Sequence, residues 1–264
     1  MNGGRLKVAA IAAAVLVSMT GAANAAKCGN TDFGFESWKK EFSGEAQGRV
    51  GQRAIAALMA THYAHPTINA DRNQHSFHLT LPQFLAKRGG SEIVSQGRVL
   101  KRRHAALFQE IQSRYGVPAG PLLAIWGMET GFGSVHGNQN MLSSVATLAY
   151  DCRRTEYFTD QLYAALKLVD RGTFSNATRG SMHGEVGQTQ FMPKSVLQYG
   201  VGNMETPSGA LNSTANFLRA HGWQRGAGYQ PGQPNFAAIQ GWNAASVYQQ
   251  AIAKLGAEID GGGE

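Results

Sequence analysis

Tyr115-Gly-Val-Pro118-Ala-Gly-Pro121-Leu-Leu-Ala-Ile-Trp126-Gly-Met-Glu129-Thr-Gly131-Phe-Gly133 combines an apolar helix face, a single carboxylate and a glycine-rich exit. Pro121 suits the first helical position, where its fixed φ is already helical and its missing N–H costs nothing. From there Leu122, Ile125, Trp126 and Glu129 recur at the spacing of one helix face. A carboxylate that closes a buried stripe loses hydration, which favours its neutral form and raises its pKa. Such an acid still holds a proton to give at physiological pH. Gly131 and Gly133 let the chain turn sharply and leave room beside the acid. A solvated or ion-paired glutamate at a helix end reads the same way locally, so the rest of the chain has to decide.

The chain has 264 residues, enough for one sizeable core or two small lobes. Its first segment belongs to neither. Arg5 and Lys7 precede an apolar run from Val8 to Val17, and Ala23-Asn24-Ala25 has the form of a cleavage site. Residues 1–25 therefore read as a cleaved secretory signal, and the mature chain as a soluble exported, periplasmic protein without stable membrane insertion. Lys27 stands before Cys28 where a lipoprotein site wants a small residue, which argues against lipidation.

The whole chain carries 24 Lys and Arg against 17 Asp and Glu. Two of the basic residues and none of the acidic ones fall in the leader, so the mature chain keeps 22 against 17, or +5. A modest positive excess spread along an exported chain fits an anionic cell-wall polymer. No arginine-rich tract, RNA-binding aromatic signature or zinc-finger spacing points to nucleic acid. Of the two cysteines, Cys28 and Cys152, an oxidising compartment predicts a disulfide; two unpaired thiols are the alternative.

No repeat or Pro-rich linker breaks the mature sequence, so residues 26–258 read as one catalytic unit, with room for two lobes, and 259–264 as a flexible tail. Helical patterns cover 34–62, about 91–115, the Glu129 segment, 154–170, the stretch that Thr206 caps ahead of Pro207, and about 246–255. Residues 63–90, 133–144 and 172–193 read as irregular. Strand patterns are scarce, so the fold class is mainly α with at most a short β-hairpin.

A second informative stretch is Gly180-Ser181-Met182-His183-Gly184-Glu185-Val186-Gly187-Gln188-Thr189-Gln190-Phe191-Met192-Pro193. Its glycines allow close approach of a ligand. Ser181, Gln188 and Gln190 offer groups suited to hydroxyls and acetamides, and Phe191 offers an apolar surface for a sugar face. Tyr115-Gly-Val-Pro, Leu123-Ala-Ile-Trp-Gly-Met-Glu129-Thr-Gly-Phe-Gly, Gly187-Gln-Thr-Gln-Phe-Met-Pro193 and Ala220-His-Gly-Trp223 occur in that order. This set resembles the lytic murein transglycosylases of the membrane-bound lytic transglycosylase B type over roughly residues 34–256.

The resemblance implies a lysozyme-like fold with a substrate groove. It implies non-hydrolytic cleavage of the MurNAc–GlcNAc bond of peptidoglycan glycan strands, leaving 1,6-anhydro-MurNAc ends. It makes Glu129 the catalytic acid and then base, and it lines the site with Ser181, Gln190 and Asn243. Tyr248, five residues beyond Asn243, matches the family's C-terminal pattern loosely. The resemblance brings no cofactor with it and leaves protein partners unknown.

Two departures from that pattern matter. Gly200 to Pro207 stands where relatives carry a calcium-type loop, and it supplies only Asn203 and Glu205 as ligands, so no metal is expected. His183 and Glu185 replace small residues; Glu185 reads as a rim group, with a second catalytic carboxylate as the rival. His62/His65 and His75/His78 have a spacing that could bind zinc, yet they lack co-ligands nearby apart from Asp71. His136 reads as a groove-rim residue, and no nucleophile elbow is present. A muramidase hydrolysing the same bond and a silent peptidoglycan-binding scaffold are the competing readings. A pure binder, however, gains nothing from a desolvated carboxylate.

Overall fold

The Glu129 segment forms the central helix of the structure. The computed structural model describes residues 26–73 and 79–261. The signal segment, His75, His78 and residues 262–264 lie outside that range.

The central helix is α7 (Ala119–Thr130), and every residue in it except Glu129 is buried. It begins two residues before Pro121, with Pro118 as its N-cap, so Pro121 occupies the third helical position instead of the first. The remaining N–H donors of that first turn still have no intrahelical partner, which is why proline is tolerated there. Being apolar all round, α7 has to be enclosed by other helices. It packs most heavily on α13 (Ser246–Asp260), with α5 (Gly90–Arg103) and α11 (Pro207–Ala220) also against it.

A second group of helices gathers around α9 (Thr155–Asp170) and α8 (Met141–Tyr150), which packs on it. It also includes α1 (Phe35–Ala46), α2 (Gln52–Met59), α3 (His65–Arg72) and α10 (Pro193–Tyr199). The remaining helices are α4 (Leu81–Arg88), α6 (Ala105–Tyr115) and α12 (Phe236–Trp242). Within the described residues the one sheet pairs β1 (Gln139–Asn140) antiparallel to β2 (Arg179–Gly180). The mainly α fold with a minimal β element matches the sequence reading.

Several element boundaries differ from that reading. Residues 63–90 contain α3 and α4, whose starts carry Pro66 and a Thr80–Gln83 capping pair. The pattern over 91–115 breaks at His104 into α5 and α6. Residues 141–144 are the first turn of α8, not loop, and the Asn140 side chain caps it by accepting from the Ser143 amide at 2.8 Å. The last helix continues to Asp260 instead of fraying after Leu255. Ile259 is buried in the core, and the Asp260 carboxylate accepts from the Gly120 amide and from Lys101, both at 2.9 Å. Residues 259 and 260 therefore belong to the fold, and their carboxylate closes the exposed N-terminus of α7.

Cys28 and Cys152 are joined, with their Cα atoms 5.0 Å apart. The bond fastens the N-terminal segment beside the α8–α9 link, where the Gly29 amide also donates to the Tyr150 carbonyl at 3.0 Å.

Candidate active site

Glu129 occupies the last turn of α7, with its side chain facing a cavity of about 190 Å³. Phe191, Phe217, Trp242 and Asn243 line that cavity with it, as do Glu185 and Gln190. The backbone leaves α7 through three successive left-handed residues, Gly131, Phe132 and Gly133. Phe132 is held there by its ring, edge-on to Trp126 at 5.4 Å. The only other described non-glycine residue with positive φ is Gln190, on the cavity wall. Strained backbone on both sides of one carboxylate is typical of a site whose geometry matters more than its local energy. Thr130 ties the two sides together: its hydroxyl donates to the Gln188 carbonyl at 2.6 Å and accepts from the Gly133 amide at 2.9 Å.

Two donors converge on one oxygen of Glu129. The Tyr248 hydroxyl reaches Oε1 at 2.7 Å and the Trp242 indole N–H reaches it at 3.3 Å. Among the described residues nothing bonds to Oε2, so that oxygen is left to carry a proton. Burial raises the pKa of Glu129. The Tyr248 and Trp242 hydrogen bonds oppose the shift, the Glu185 charge adds to it and Arg88 works against it, and the balance stays above the ordinary glutamate value. Tyr248 itself is pushed far up by burial and by the neighbouring Glu129, so it keeps the proton that it donates.

Phe191 and Phe217 stack edge-on against Trp242, with centroids 5.3 and 5.2 Å away, and fix the indole that reaches Glu129. The Asn243 side-chain oxygen accepts from the Ala245 amide at 2.9 Å. Its NH2 group has no bond among the described residues, and Asn243 lines the cavity. Gln190 donates to the Gly187 carbonyl at 2.8 Å and separates this cavity from a larger one of about 680 Å³, whose walls include Arg179, Asn203 and Glu205. Gln190 lines both cavities. His136 stands on the larger cavity, 3.6 Å from Glu205 and away from the Glu129 cavity.

The sequence-derived set is thus mostly brought together: Glu129, Gln190, Phe191, Asn243 and Tyr248 all meet at the cavity or at Glu129 itself. Ser181 is one step removed, its hydroxyl bonded to the Glu185 carboxylate. Gln188 departs from expectation. Its side chain turns inward, donating to the Glu205 carbonyl at 2.7 Å, and it is absent from the cavity wall. It braces the loop instead of meeting a ligand. Glu185 lines the cavity, where the rim had been expected.

Trp242, Arg88 and Phe217 were missed by sequence reasoning. Trp242 had a signal, since it adjoins Asn243; the other two reach the site only through packing. Among the described residues no group of three or more His, Cys, Asp or Glu is arranged to hold a metal. No helix there is long and apolar enough to cross a membrane.

With this geometry in place, the chain can be set beside known proteins. It is 34% identical over 158 residues to the membrane-bound lytic murein transglycosylase B of Escherichia coli (strain K12), covering 54% of this chain. The match spans 44% of that relative, less than half its length. Among solved structures, SltB3 from Pseudomonas aeruginosa, in complex with NAG-anhNAM-pentapeptide, aligns with a TM-score of 0.79 and 29% identity. That alignment covers 87% of this chain and 80% of the other. The Escherichia coli lytic transglycosylase Slt35 in complex with calcium shares the fold at a TM-score of 0.75 and 24% identity, over 89% of this chain and 96% of the other. Residues 34–232 match the sequence profile of the transglycosylase SLT domain, and the chain belongs to that family.

Proposed function

We propose that this protein is a lytic transglycosylase that cleaves the β-1,4 bond between MurNAc and GlcNAc in peptidoglycan, without water, to leave 1,6-anhydro-MurNAc ends. The observation that carries the reading is the desolvated carboxylate of Glu129, with its pKa raised and both donors on Oε1, at the wall of a sugar-sized cavity. The proton on Oε2 passes to O4 as the C1–O4 bond breaks. The resulting carboxylate, stabilised by Tyr248 and Trp242, then takes the proton of the sugar's own C6 hydroxyl while O6 bonds to C1. One carboxylate serves both steps, because the nucleophile is already part of the substrate.

The free NH2 of Asn243 is suited to hold the MurNAc acetamide, and Trp242, Phe191 and Phe217 give an apolar wall for a ring face. Beyond Gln190 the larger cavity extends the groove for neighbouring sugars. SltB3 was solved with two muropeptide ligands, NAG-anhNAM-pentapeptide and NAG-NAM-pentapeptide, which supports the same substrate class here. The leader-like residues 1–25 and the Cys28–Cys152 bond fit a protein exported to the periplasm.

Mass spectrometry of purified peptidoglycan digested with the mature protein tests the reading. Ends one water lighter than hydrolysis products, absent with Glu129→Gln, are the expected result. Undiminished cleavage by that variant would remove Glu129 from the mechanism.

A further inference from the structure

Transglycosylation needs one carboxylate, yet the cavity has two. Glu129 comes from α7 and Glu185 from the loop between β2 and α10, and both line the same space of about 190 Å³. Glu185 is held in a closed turn: the Ser181 amide donates to its carbonyl at 2.8 Å, and its own amide donates to Ser181 Oγ at 3.2 Å. That hydroxyl in turn donates to Oε2 of the Glu185 carboxylate, which fixes the side chain. Among the described residues no hydrogen bond reaches Oε1 of Glu185, and no lysine or arginine pairs with the carboxylate. An oriented carboxylate at the cavity wall, with no lysine or arginine partner, is placed to take a proton from a molecule held in that cavity.

Hydrolytic glycosidases place two carboxyl groups around the scissile bond, one as acid and the other to activate water or to stabilise the cationic centre. We infer that Glu185 gives this enzyme a hydrolytic branch beside transglycosylation, with Ser181 as the residue that positions it. The inference rests on the reading of Glu129 as the acid. In this branch Glu129 gives its proton to O4 as the C1–O4 bond breaks. A water oxygen then bonds to C1, and the proton that the water loses goes to the Glu185 carboxylate. The products are a free reducing MurNAc end and a GlcNAc 4-hydroxyl, with one water consumed. Exchange with solvent returns Glu185 to its anion and Glu129 to its acid. Partition between the two products then depends on whether water or the C6 hydroxyl reaches C1 first.

The test uses the mature protein on peptidoglycan whose existing reducing ends have first been reduced with borohydride. Digests are quenched with sodium borodeuteride, which labels each hydrolytic end and leaves anhydro ends unlabelled, and both are counted by mass spectrometry. Wild type should give both ends. Glu185→Gln should lower the hydrolytic-to-anhydro ratio by about a hundredfold, the scale of a positioned base. Glu185→Asp, which keeps the carboxylate, should restore part of it, and Ser181→Ala should lower the ratio less than Glu185→Gln does. Because the ratio is internal to each digest, it does not depend on how much of a variant has folded. Anhydro ends alone from wild type, or a ratio unchanged in Glu185→Gln, would overturn the hydrolytic branch while leaving the transglycosylase reading intact. No new ends of either kind would overturn both.

Discussion

The Tyr248 hydroxyl donates to Glu129 Oε1 at 2.7 Å from a position 119 residues further along the chain. The bond favours the carboxylate form and so limits how far burial can raise the pKa. Tyr248→Phe removes that restraint, so the acid form of Glu129 persists to higher pH. The alkaline limb of kcat/KM should therefore move upward, and the rate at its optimum should fall about tenfold, the low end for losing a hydrogen bond to a charged group. Trp242→Phe should shift the limb the same way but less, since its bond is longer at 3.3 Å. A pH–rate profile of each variant reads this directly. A limb that stays in place would mean that Tyr248 does not act on the ionisation of Glu129.

The same raised pKa makes Glu129 a burden on stability at neutral pH. A group whose folded-state pKa lies above its unfolded value contributes stability that is complete below the unfolded pKa, about 4.3 for glutamate. That contribution is lost as pH rises through the folded value. Glu129→Gln keeps the shape and the acceptor oxygen and removes the charge, so it should raise Tm by a few degrees at pH 8. The gain should shrink toward pH 4, where wild-type Glu129 is itself neutral. Calorimetry at the two pH values decides it, and an equal gain at both would show that ionisation is not the cause.

What the sequence made legible is what local chemistry writes into it. Thr206 caps α11, accepting from the Gly209 amide at 3.1 Å, and the apolar run of α7 with its glycine exit signals a buried helix carrying an acid. The misread helix start at α8 has an equally physical cause: that helix is buried on every side, so no polar face marks its period. Gln188 and Gln190 are alike in type and two residues apart, yet one faces the groove and the other the interior. Nothing local distinguishes them; Thr130 and Glu205, remote in sequence, hold Gln188 inward. Glu185 is set at the cavity wall by a local turn closed by Ser181, four residues before it.

Asp71 on α3 is buried, and both Arg153 and Arg154 reach its carboxylate, with Arg153 Nε at 2.7 Å. Burial alone would raise its pKa. The hydrogen bond from Arg153 and the charges of Arg154 and Arg153 outweigh it and hold the carboxyl below its usual range. A depressed pKa contributes stability above the unfolded value, and that stability is lost as pH falls through the folded one. Asp71→Asn should therefore cost about 2 kcal/mol at pH 7, less than a wholly buried pair because the two arginines are 44% and 36% exposed. Urea unfolding at pH 7 and at pH 3 checks it, with the difference from wild type narrowing in acid. A difference that persists at pH 3 would point to lost shape instead of lost charge.

The Cys28–Cys152 bond closes a loop with a sequence separation of 124 residues. Constraining so long a loop in the unfolded chain stabilises by about 5 kcal/mol in the loop-entropy treatment. Replacing both cysteines with serine should lower Tm by roughly 10–20 °C at the ratio of about 2–4 °C per kcal/mol for a chain of this size. Reductant should reproduce the loss in wild type and leave the double variant unaffected. No residue of the N-terminal segment lines the Glu129 cavity, so the loss should appear in thermal unfolding and not in kcat at 25 °C. A fall in kcat without a fall in Tm would place the bond's role at the site and not in the fold.

The crossing of α7 and α13 sets how close Tyr248 comes to Glu129, and it depends on bare backbone. A Cβ at Gly120 would collide with the Gly256 carbonyl and the Asp260 carboxylate, whereas at Gly44 in α1 a Cβ would meet nothing within 4 Å. Helix propensity alone favours alanine over glycine by about 1 kcal/mol at either position. Gly44→Ala should therefore stabilise the protein by a few tenths to about 1 kcal/mol. Gly120→Ala should destabilise it by about 1–3 kcal/mol, because overpacking outweighs the propensity gain. Since α13 carries Tyr248, the Gly120 variant should also lose activity beyond its loss of folded fraction, with the alkaline limb moved in the direction of Tyr248→Phe. Urea unfolding and a pH–rate profile of both variants test the pair together. Equal and favourable effects at the two glycines would show that the α7–α13 contact is loose and that Tyr248 is positioned by something else.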